Sequence, residues 1–554
     1  IGGDPNLTLT ANTFAVGDLV QAAVAFSGFT SGRFYWVVSS VGSTIQLSSA
    51  KGGAAITPTA SATTASALRS AQLWNTASNW TGSVVARGAD APATFPLGSP
   101  ASDVAAVLVD ADTTIGRLLY SNNSSGADFT LATGPDRTLG FAVSGATPPM
   151  IEVPAASNRR LNLGERDNAL LRIGGNQGLL IRSSSGGTVT GGIGSNPLKE
   201  VTIFNTDWSA FTGGITVDRG ILSVQTANKL PQQSLTLGTS FSSIGNVLAG
   251  LSITTAQTID ALHGNANGRV SGSQSLTVGA ADGGGNFGGI FGQQFNGIRD
   301  NISLTKNGAG RQEMGGTMTG NGSVAVNGGS LVFSAASSHH FSGALTVNNS
   351  AALWVNGNLA PAPPLVSITL AGTSGSANFT SSAALKTGDQ VRVTTANAAL
   401  PLAPVYHVVN PPTASTTVQV STTSGGTAFT ATTTASATVQ FLNSSTGTSG
   451  RVILNPGSTL GGIGTLSPFD SAGGAITALS ISGSLAPGDP TVSGGVGTLT
   501  LNGANTNRPL CAFENGSSLA FQLSASGGDQ LAVTAAQAGD LVFSSNVMHF
   551  IDTT

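Results

Sequence analysis

Residues Phe211–Val224 read F-T-G-G-I-T-V-D-R-G-I-L-S-V, and this stretch decides the fold. Apolar residues alternate in Ile215–Val217 and again in Ile221–Val224, the period of a strand with one buried face. Between them, Asp218-Arg219-Gly220 supplies a tight corner, with a glycine able to take a positive φ. A later stretch, Phe341–Val355, reads F-S-G-A-L-T-V-N-N-S-A-A-L-W-V. Phe211 matches Phe341, Gly213 matches Gly343, and Ile215/Val217 match Leu345/Val347. Leu222/Val224 match Leu353/Val355 after a one-residue insertion. A strand–corner–strand unit recurring along a glycine-rich chain is the mark of a β-solenoid, whose units bury their apolar faces by stacking.

Composition agrees with that reading. The chain has 554 residues, enough for several domains or one long solenoid. Only 8% are charged and 75 are Gly, yet 40% are hydrophobic, which argues against disorder. The apolar residues come in short alternating runs, and none approaches the roughly 20 residues of a spanning helix. A net charge of −3 without a Lys/Arg cluster argues against nucleic-acid binding. Cys511 is the sole cysteine, so no internal disulfide can form. The start at Ile1 fits a removed secretion signal or a fragment, and the scarcity of charge, Lys and Met fits an exported protein.

Along the chain, residues 1–68 read as a small all-β module. Its words Val16–Val20, Tyr35–Val38, Thr44–Ser48 and Gly52–Thr57 return in order as Thr387–Val391, Tyr406–Val409, Thr417–Ser421 and Gly425–Thr430. This is a duplication, each copy having five or so short strands. Residues 69–130 carry a Trp-bearing cap at Trp74–Trp80 and the first solenoid strands. Residues 131–360 are solenoid, 361–443 the inserted second module, announced by Ala360-Pro361-Ala362-Pro363-Pro364, and 444–554 a closing solenoid segment. Ile259–His263 is the best helical candidate and is too short to matter.

With these residues laid out, the chain resembles bacterial proteins built from autotransporter-associated β-strand repeats. The resemblance rests on W-N-T-A-S-N-W at Trp74–Trp80, on Phe211–Val224, and on L-T-K-N-G-A-G at Leu304–Gly310. It extends through G-S-T-L-G-G-I-G-T-L at Gly457–Leu466, G-S-L-A-P-G-D-P at Gly483–Pro490 and N-G-S-S-L-A-F-Q-L at Asn515–Leu523. These motifs span roughly residues 70–545, interrupted by the inserted module. The resemblance implies an all-β, right-handed parallel β-helix on a bacterial surface or secreted from the cell, structural or adhesive, with no catalytic residues to carry over. The sequence departs from the pattern in showing neither a C-terminal translocating barrel nor a sorting helix with a basic tail.

Candidate chemistry is sparse, and no residue is assigned as catalytic, cofactor-binding or metal-binding. Glycoside hydrolysis needs a spaced carboxylate pair. The only local acidic clusters, Glu165-Arg166-Asp167 and Arg299-Asp300, read as exposed loop charges or ion pairs. Asp18 and Asp389 read as turn residues. His339-His340 reads as a turn outside the solenoid rather than a metal site. Ala281–Asn286 reads as a flexible Gly/Asp loop rather than a calcium repeat, and Cys511 as a buried small hydrophobe. The triplet Asn123-Ser124-Ser125 follows from composition. Trp74, Trp80, Trp208 and Trp354 are expected to pack against the solenoid rather than serve as sugar platforms.

Stacked coils of about 20 residues rising about 4.8 Å each predict a rod on the order of 100 Å, with Asn and Thr stacks helping. Both ends of such a rod are rows of unpaired backbone groups. The expectation is therefore a secreted, non-enzymatic structural subunit with no cofactor and no membrane span, assembling head-to-tail into a homopolymeric filament or surface layer. Strand donation from Leu7–Thr10 or Val547–Ile551 is the expected joint, with residues 1–12 dispensable for the monomer's fold. The alternatives are a monomeric adhesin recognising glycans or a cell surface, and a polysaccharide-active β-helix enzyme.

Overall fold

The structure, a computed structural model, describes residues 1–554 except 1–2, 11, 23–24, 27, 60–67, 96–103, 122–127, 155–159, 166–168, 184–199, 239–248, 294–299, 321, 335–337, 342, 361–364, 386, 388–389, 394–399, 401–405, 414, 423–425, 443–450, 469–477, 491–494, 503–509, 525–526, 535–540 and 553–554. The fold is all-β with large parallel sheets. By compactness the chain divides into Ile1–Val189 with Ile193–Gly289, and Thr190–Gly192 with Ile290–Thr554. Among the described residues no helix is long and apolar enough to cross a membrane. Ile259–His263 bends at Asp260 and enters the strand Leu262–Gly264.

In the first unit, strands of successive coils stack in parallel. One ladder runs from Leu68–Leu73 through Val104–Val109, Phe129–Thr133, Leu161–Leu163 and Glu200–Ile203, then on to Ala249–Ile253 and Gly268–Gly272. A second runs from Pro92–Phe95 through Arg117–Tyr120, Met150–Val153 and Leu179–Ser183 to Leu235–Leu237 and Leu262–Gly264. A third stacks Thr113–Ile115, Leu139–Phe141, Leu171–Gly175 and Thr206–Phe211. The deciding stretch is one strand, Ile215–Val224, rather than two. Its first half pairs into the second ladder and its second half into the first, so the corner is a switch between sheets. Gly220 makes the switch at φ +84°, where a Cβ would sit 2.0 Å from the Ser183 carbonyl oxygen.

The second unit repeats the plan. Ser303–Lys306, Val324–Val326 and Leu345–Val347 stack in one ladder, continued by Val452–Leu454, Leu479–Ile481, Cys511–Phe513 and Leu541–Phe543. A neighbouring ladder runs from Arg311–Met314 through Ser330–Phe333, Ala352–Val355, Thr459–Gly462 and Ser484–Pro487 to Ser518–Ser524 and Val547–Asp552. Leu345 pairs directly with Val452, so the ladder passes over the intervening module without losing register. An asparagine ladder follows the same path. Asn327 donates to Asn307 at 2.9 Å, Asn348 to Asn327 at 2.6 Å, and Asn455 to Asn348 at 2.6 Å, at sequence separations of 20, 21 and 107.

The inserted module is a closed antiparallel barrel of six strands, Leu365–Gly372, Phe379–Leu385, Gln390–Val393, Tyr406–Asn410, Ser415–Ser421 and Ala435–Leu442. The N-terminal module matches it pair for pair. Leu7 faces Ile45 as Phe379 faces Val418, and Val20 faces Tyr35 as Val391 faces Tyr406. The same bulge interrupts Val37/Ser39 and Val408/Asn410. Gln46 Nε2 donates to Asn6 Oδ1 at 3.0 Å, as Gln419 Nε2 donates to Asn378 Oδ1 at 2.9 Å. The copies differ at one edge. Leu365–Gly372 closes the inserted barrel against Ala435–Leu442. In the N-terminal copy the counterpart of Ala435–Leu442 is Leu68–Leu73, antiparallel to Leu19–Ala22 as Ala435–Leu442 is to Gln390–Val393, and its other edge is parallel to Val104–Val109. That strand belongs both to the module and to the first solenoid ladder, whose edge the module thereby covers.

Candidate functional site

The solenoid interior is built by alternation: Leu304, Val324, Val326, Leu345, Val347, Val452 and Leu454 are all buried. Lys306 occupies an inward position of the same strand pattern and is fully buried. Its ammonium donates to the carbonyl oxygens of Asn307, Gly308 (2.9 Å) and Gly328 (3.3 Å), tying one coil's turn to the next. The L-T-K-N-G motif is therefore a turn-capping device. The recurring glycine ahead of each strand has an equally local cause. A Cβ at Gly213, Gly322 or Gly343 would lie 2.0 Å, 1.8 Å or 2.1 Å from a carbonyl oxygen of the preceding coil.

The outer faces carry ion pairs along the stacking direction. In the first unit Glu152 binds Arg117 and reaches Arg219 at 3.5 Å, while Arg182 binds Asp218 at 2.9 Å. Arg172 binds Asp207 at 2.8 Å. The Ser209 backbone N–H, with help from Arg172, holds the Asp207 carboxyl below its ordinary value. In the second unit the G-D-P turn buries Asp489 completely, where it accepts from Asn356 Nδ2 at 2.6 Å and lies 3.9 Å from Arg311.

Two of the sequence candidates sit otherwise than expected. His339-His340 is not a turn outside the solenoid but part of the strand Ser338–Phe341. His339 is fully buried, 4.4 Å from the Phe333 ring, and its Nδ1 accepts from the Met318 N–H at 3.2 Å. Ala281–Asn286 is not a free loop. The Asp260 carboxylate accepts from the N–H groups of Ala281 (2.7 Å) and Gly283 (2.8 Å) and pins it.

The acidic clusters also divide. Asp300, expected as an exposed loop charge or in an ion pair, is buried, and Glu165 accepts from the Thr130 hydroxyl at 3.1 Å. Asp18 accepts from the Ala15 N–H at 2.8 Å, a turn contact. Asp389, Arg166, Asp167, Arg299, Asn123-Ser124-Ser125 and Pro361–Pro364 lie outside the described residues. Cys511 is fully buried, and burial pushes its thiol well above the ordinary range. Among the described residues no three His, Cys, Asp or Glu side chains converge as a metal site.

The tryptophans separate into two kinds. Trp74 is fully buried and packs with Trp80 and Phe95 at the first coils. Trp74 donates its indole N–H to Ala86 O, Trp80 to Trp74 O, and Trp208 to Lys229 O. These are structural anchors. Trp354 is half-buried on an outer face.

The last coil presents a different surface. Leu541–Phe543 and Val547–Asp552 are each bonded along one edge only, to Cys511–Phe513 and to Ser518–Leu523, among the described residues. Phe543 stacks on Phe513 at 4.7 Å and Phe550 on Phe521 at 6.0 Å. Phe543 is 55%, Met548 58% and Phe550 64% exposed. By contrast Leu7–Thr8 is paired inside its own module, with Leu7 and Leu9 packed on that module's core. No protein-family model, curated protein or solved structure matches the chain.

Proposed function

We propose that the protein is a secreted bacterial structural subunit, a right-handed β-solenoid of the kind built from autotransporter-associated repeats. It joins copies of itself head-to-tail into an extracellular filament or surface layer. The observation that supports this reading most is the pair of strands Leu541–Phe543 and Val547–Asp552, each bonded along one edge among the described residues and carrying the exposed aromatic rings of Phe543 and Phe550. Open edges of this kind bind strands, and a non-closing end-to-end contact propagates. The strand is supplied by the next copy and lies parallel on Leu541–Phe543 and Val547–Asp552. Leu7–Thr8 is paired inside its own module, which favours Val547–Asp552 over it as the joint. Negative-stain electron microscopy with light scattering of the purified chain tests the reading. Uniform fibres or a concentration-dependent series of oligomers are expected; monomers at all concentrations overturn it.

A further inference from the structure

One copy of the duplicated module shows what lies along an edge that the other leaves free. The two copies follow the same path into Leu7–Thr8 and its counterpart Phe379–Leu385. Gly3, at φ +88°, donates to Pro58 O at 3.0 Å, as Gly375, at φ +78°, donates to Ala431 O at 2.8 Å. The Asn6 N–H donates to Asp4 Oδ1 at 2.9 Å, as the Asn378 N–H donates to Ser376 Oγ at 3.0 Å. Ahead of that turn the inserted copy has the strand Leu365–Gly372, whose Leu370, Ala371 and Gly372 face Ser381, Thr380 and Phe379. Its other side faces Ala435–Leu442, and Ile368 and Leu370 enter the barrel core.

In the N-terminal copy Leu7–Thr8 is bonded along one edge among the described residues, to Thr44–Ser48. The Leu9 N–H donates to Ser43 O at 2.8 Å on that same side. Bonding alternates along an antiparallel pair, so the N–H and C=O of Thr8 turn to the free edge. Leu68–Leu73 gives its other side to Val104–Val109 only from Ser70 onward. Among the described residues, then, no strand is bonded between residues 7–9 and Leu68, where residues 368–372 lie in the inserted copy. Burial follows the difference: Phe379 and Val439 are fully buried, while their counterparts Leu7 and Leu68 are only half-buried.

We propose that the N-terminal module docks one extended peptide strand of a partner protein, antiparallel to residues 7–9, in the manner of residues 368–372 in the other copy. The occupant is a segment of about five residues, uncharged, with apolar side chains at alternate positions and a small residue opposite Leu7. Every strand the structure describes in this chain is already bonded to a neighbour. This site has a neighbour on each side, so its occupant is a tail or linker that is free along both edges before it docks. That argues against Val547–Asp552 of a second copy, and the proposal stands apart from the head-to-tail assembly.

The test uses a synthetic peptide of residues 365–374, fluorescently labelled, titrated into the full chain and read by anisotropy. Saturable binding is expected, and a peptide carrying Leu370→Asp should bind on the order of tenfold more weakly. Thr8→Pro removes the N–H at the free edge and leaves the bonds of Leu7 and Leu9 in place. It should fold and bind the peptide on the order of tenfold more weakly. In a second variant, residues 365–378 replace residues 1–6 and supply the strand within the chain; it should melt above the parent and not bind the peptide. No saturable binding, or equal binding by the parent, Thr8→Pro and the grafted chain, overturns the proposal. A peptide that instead breaks up a self-associated form of the chain makes a second copy the occupant and overturns it as well.

Discussion

Lys306 shows how a charge can serve a solenoid core. A buried ammonium is costly unless its donors are used, and here its partners include three carbonyl oxygens drawn from two turns. Replacement by Met removes the charge but leaves those carbonyls without their donor. Lys306→Met should therefore lower stability by roughly 1–3 kcal/mol, read from the shift in denaturant midpoint. An unchanged midpoint would mean that water replaces the ammonium. His263 makes a second case with a defined sign. Burial lowers its pKa from 6.5, and its Nδ1 accepts from the Asn286 N–H at 3.4 Å, which requires the neutral ring. As pH falls below 6.5 the unfolded chain takes up a proton that the folded chain resists, so stability declines until the folded value is passed. Thermal unfolding between neutral and mildly acid pH should show this decline, and His263→Gln should flatten it. Asp207 acts at lower pH in the same direction. Its depressed carboxyl adds stability above 3.8 that erodes as pH falls below that value.

At the scale of elements, the alternation in Ile215–Val217 and Ile221–Val224 was enough to see strands, because inward and outward positions differ in chemistry there. The four repeated words were enough to see the duplicated module, since they cover paired strands whose register both copies keep. The strand at His339 is not legible in sequence, because four residues are too few to phase and a histidine in an inward position breaks the apolar signal. The pinning of Ala281–Asn286 was invisible because its anchor, Asp260, is 21 residues away from the first amide it holds. The use of Leu68–Leu73 by both module and solenoid was equally hidden, since pairing partners leave no local mark. The inserted barrel gives a direct test of element independence. Leu345–Val347 already pairs with Val452–Leu454, and Asn348 with Asn455. Replacing residues 361–443 with a short Gly/Ser linker should leave a folded solenoid that keeps a strand-rich far-ultraviolet signal, lower only by the barrel's own six strands, and unfolds cooperatively. Loss of cooperative unfolding would show that the barrel braces the coils. Removing residues 1–12 should be less innocent than the sequence implied. It takes away Leu7 and Leu9 from the module's core, and a lower melting temperature is the expected result.

For the molecule as a whole, the proposed assembly puts weight on the coil of Leu541–Phe543 and Val547–Asp552. Among the described residues Val547–Asp552 is bonded along one edge, with Phe550 and Met548 exposed. A ladder grows only where its next strand can pair and its interior stack can continue, so the proposed head-to-tail assembly should depend on this coil. Charge is the specific way to block it, because a lysine placed in the aromatic stack would have to be desolvated as the next strand docks. Phe550 is 64% exposed, so Phe550→Lys leaves the charge in water in the isolated chain and should disturb its fold little. The variant should melt within a few degrees of the parent yet form no fibres. Val542→Lys, on the alternate position of the neighbouring strand, controls for charge added to the same coil away from the Phe513–Phe543 stack, and should weaken assembly less. Equal fibre formation by the parent and Phe550→Lys would move the joint away from this coil.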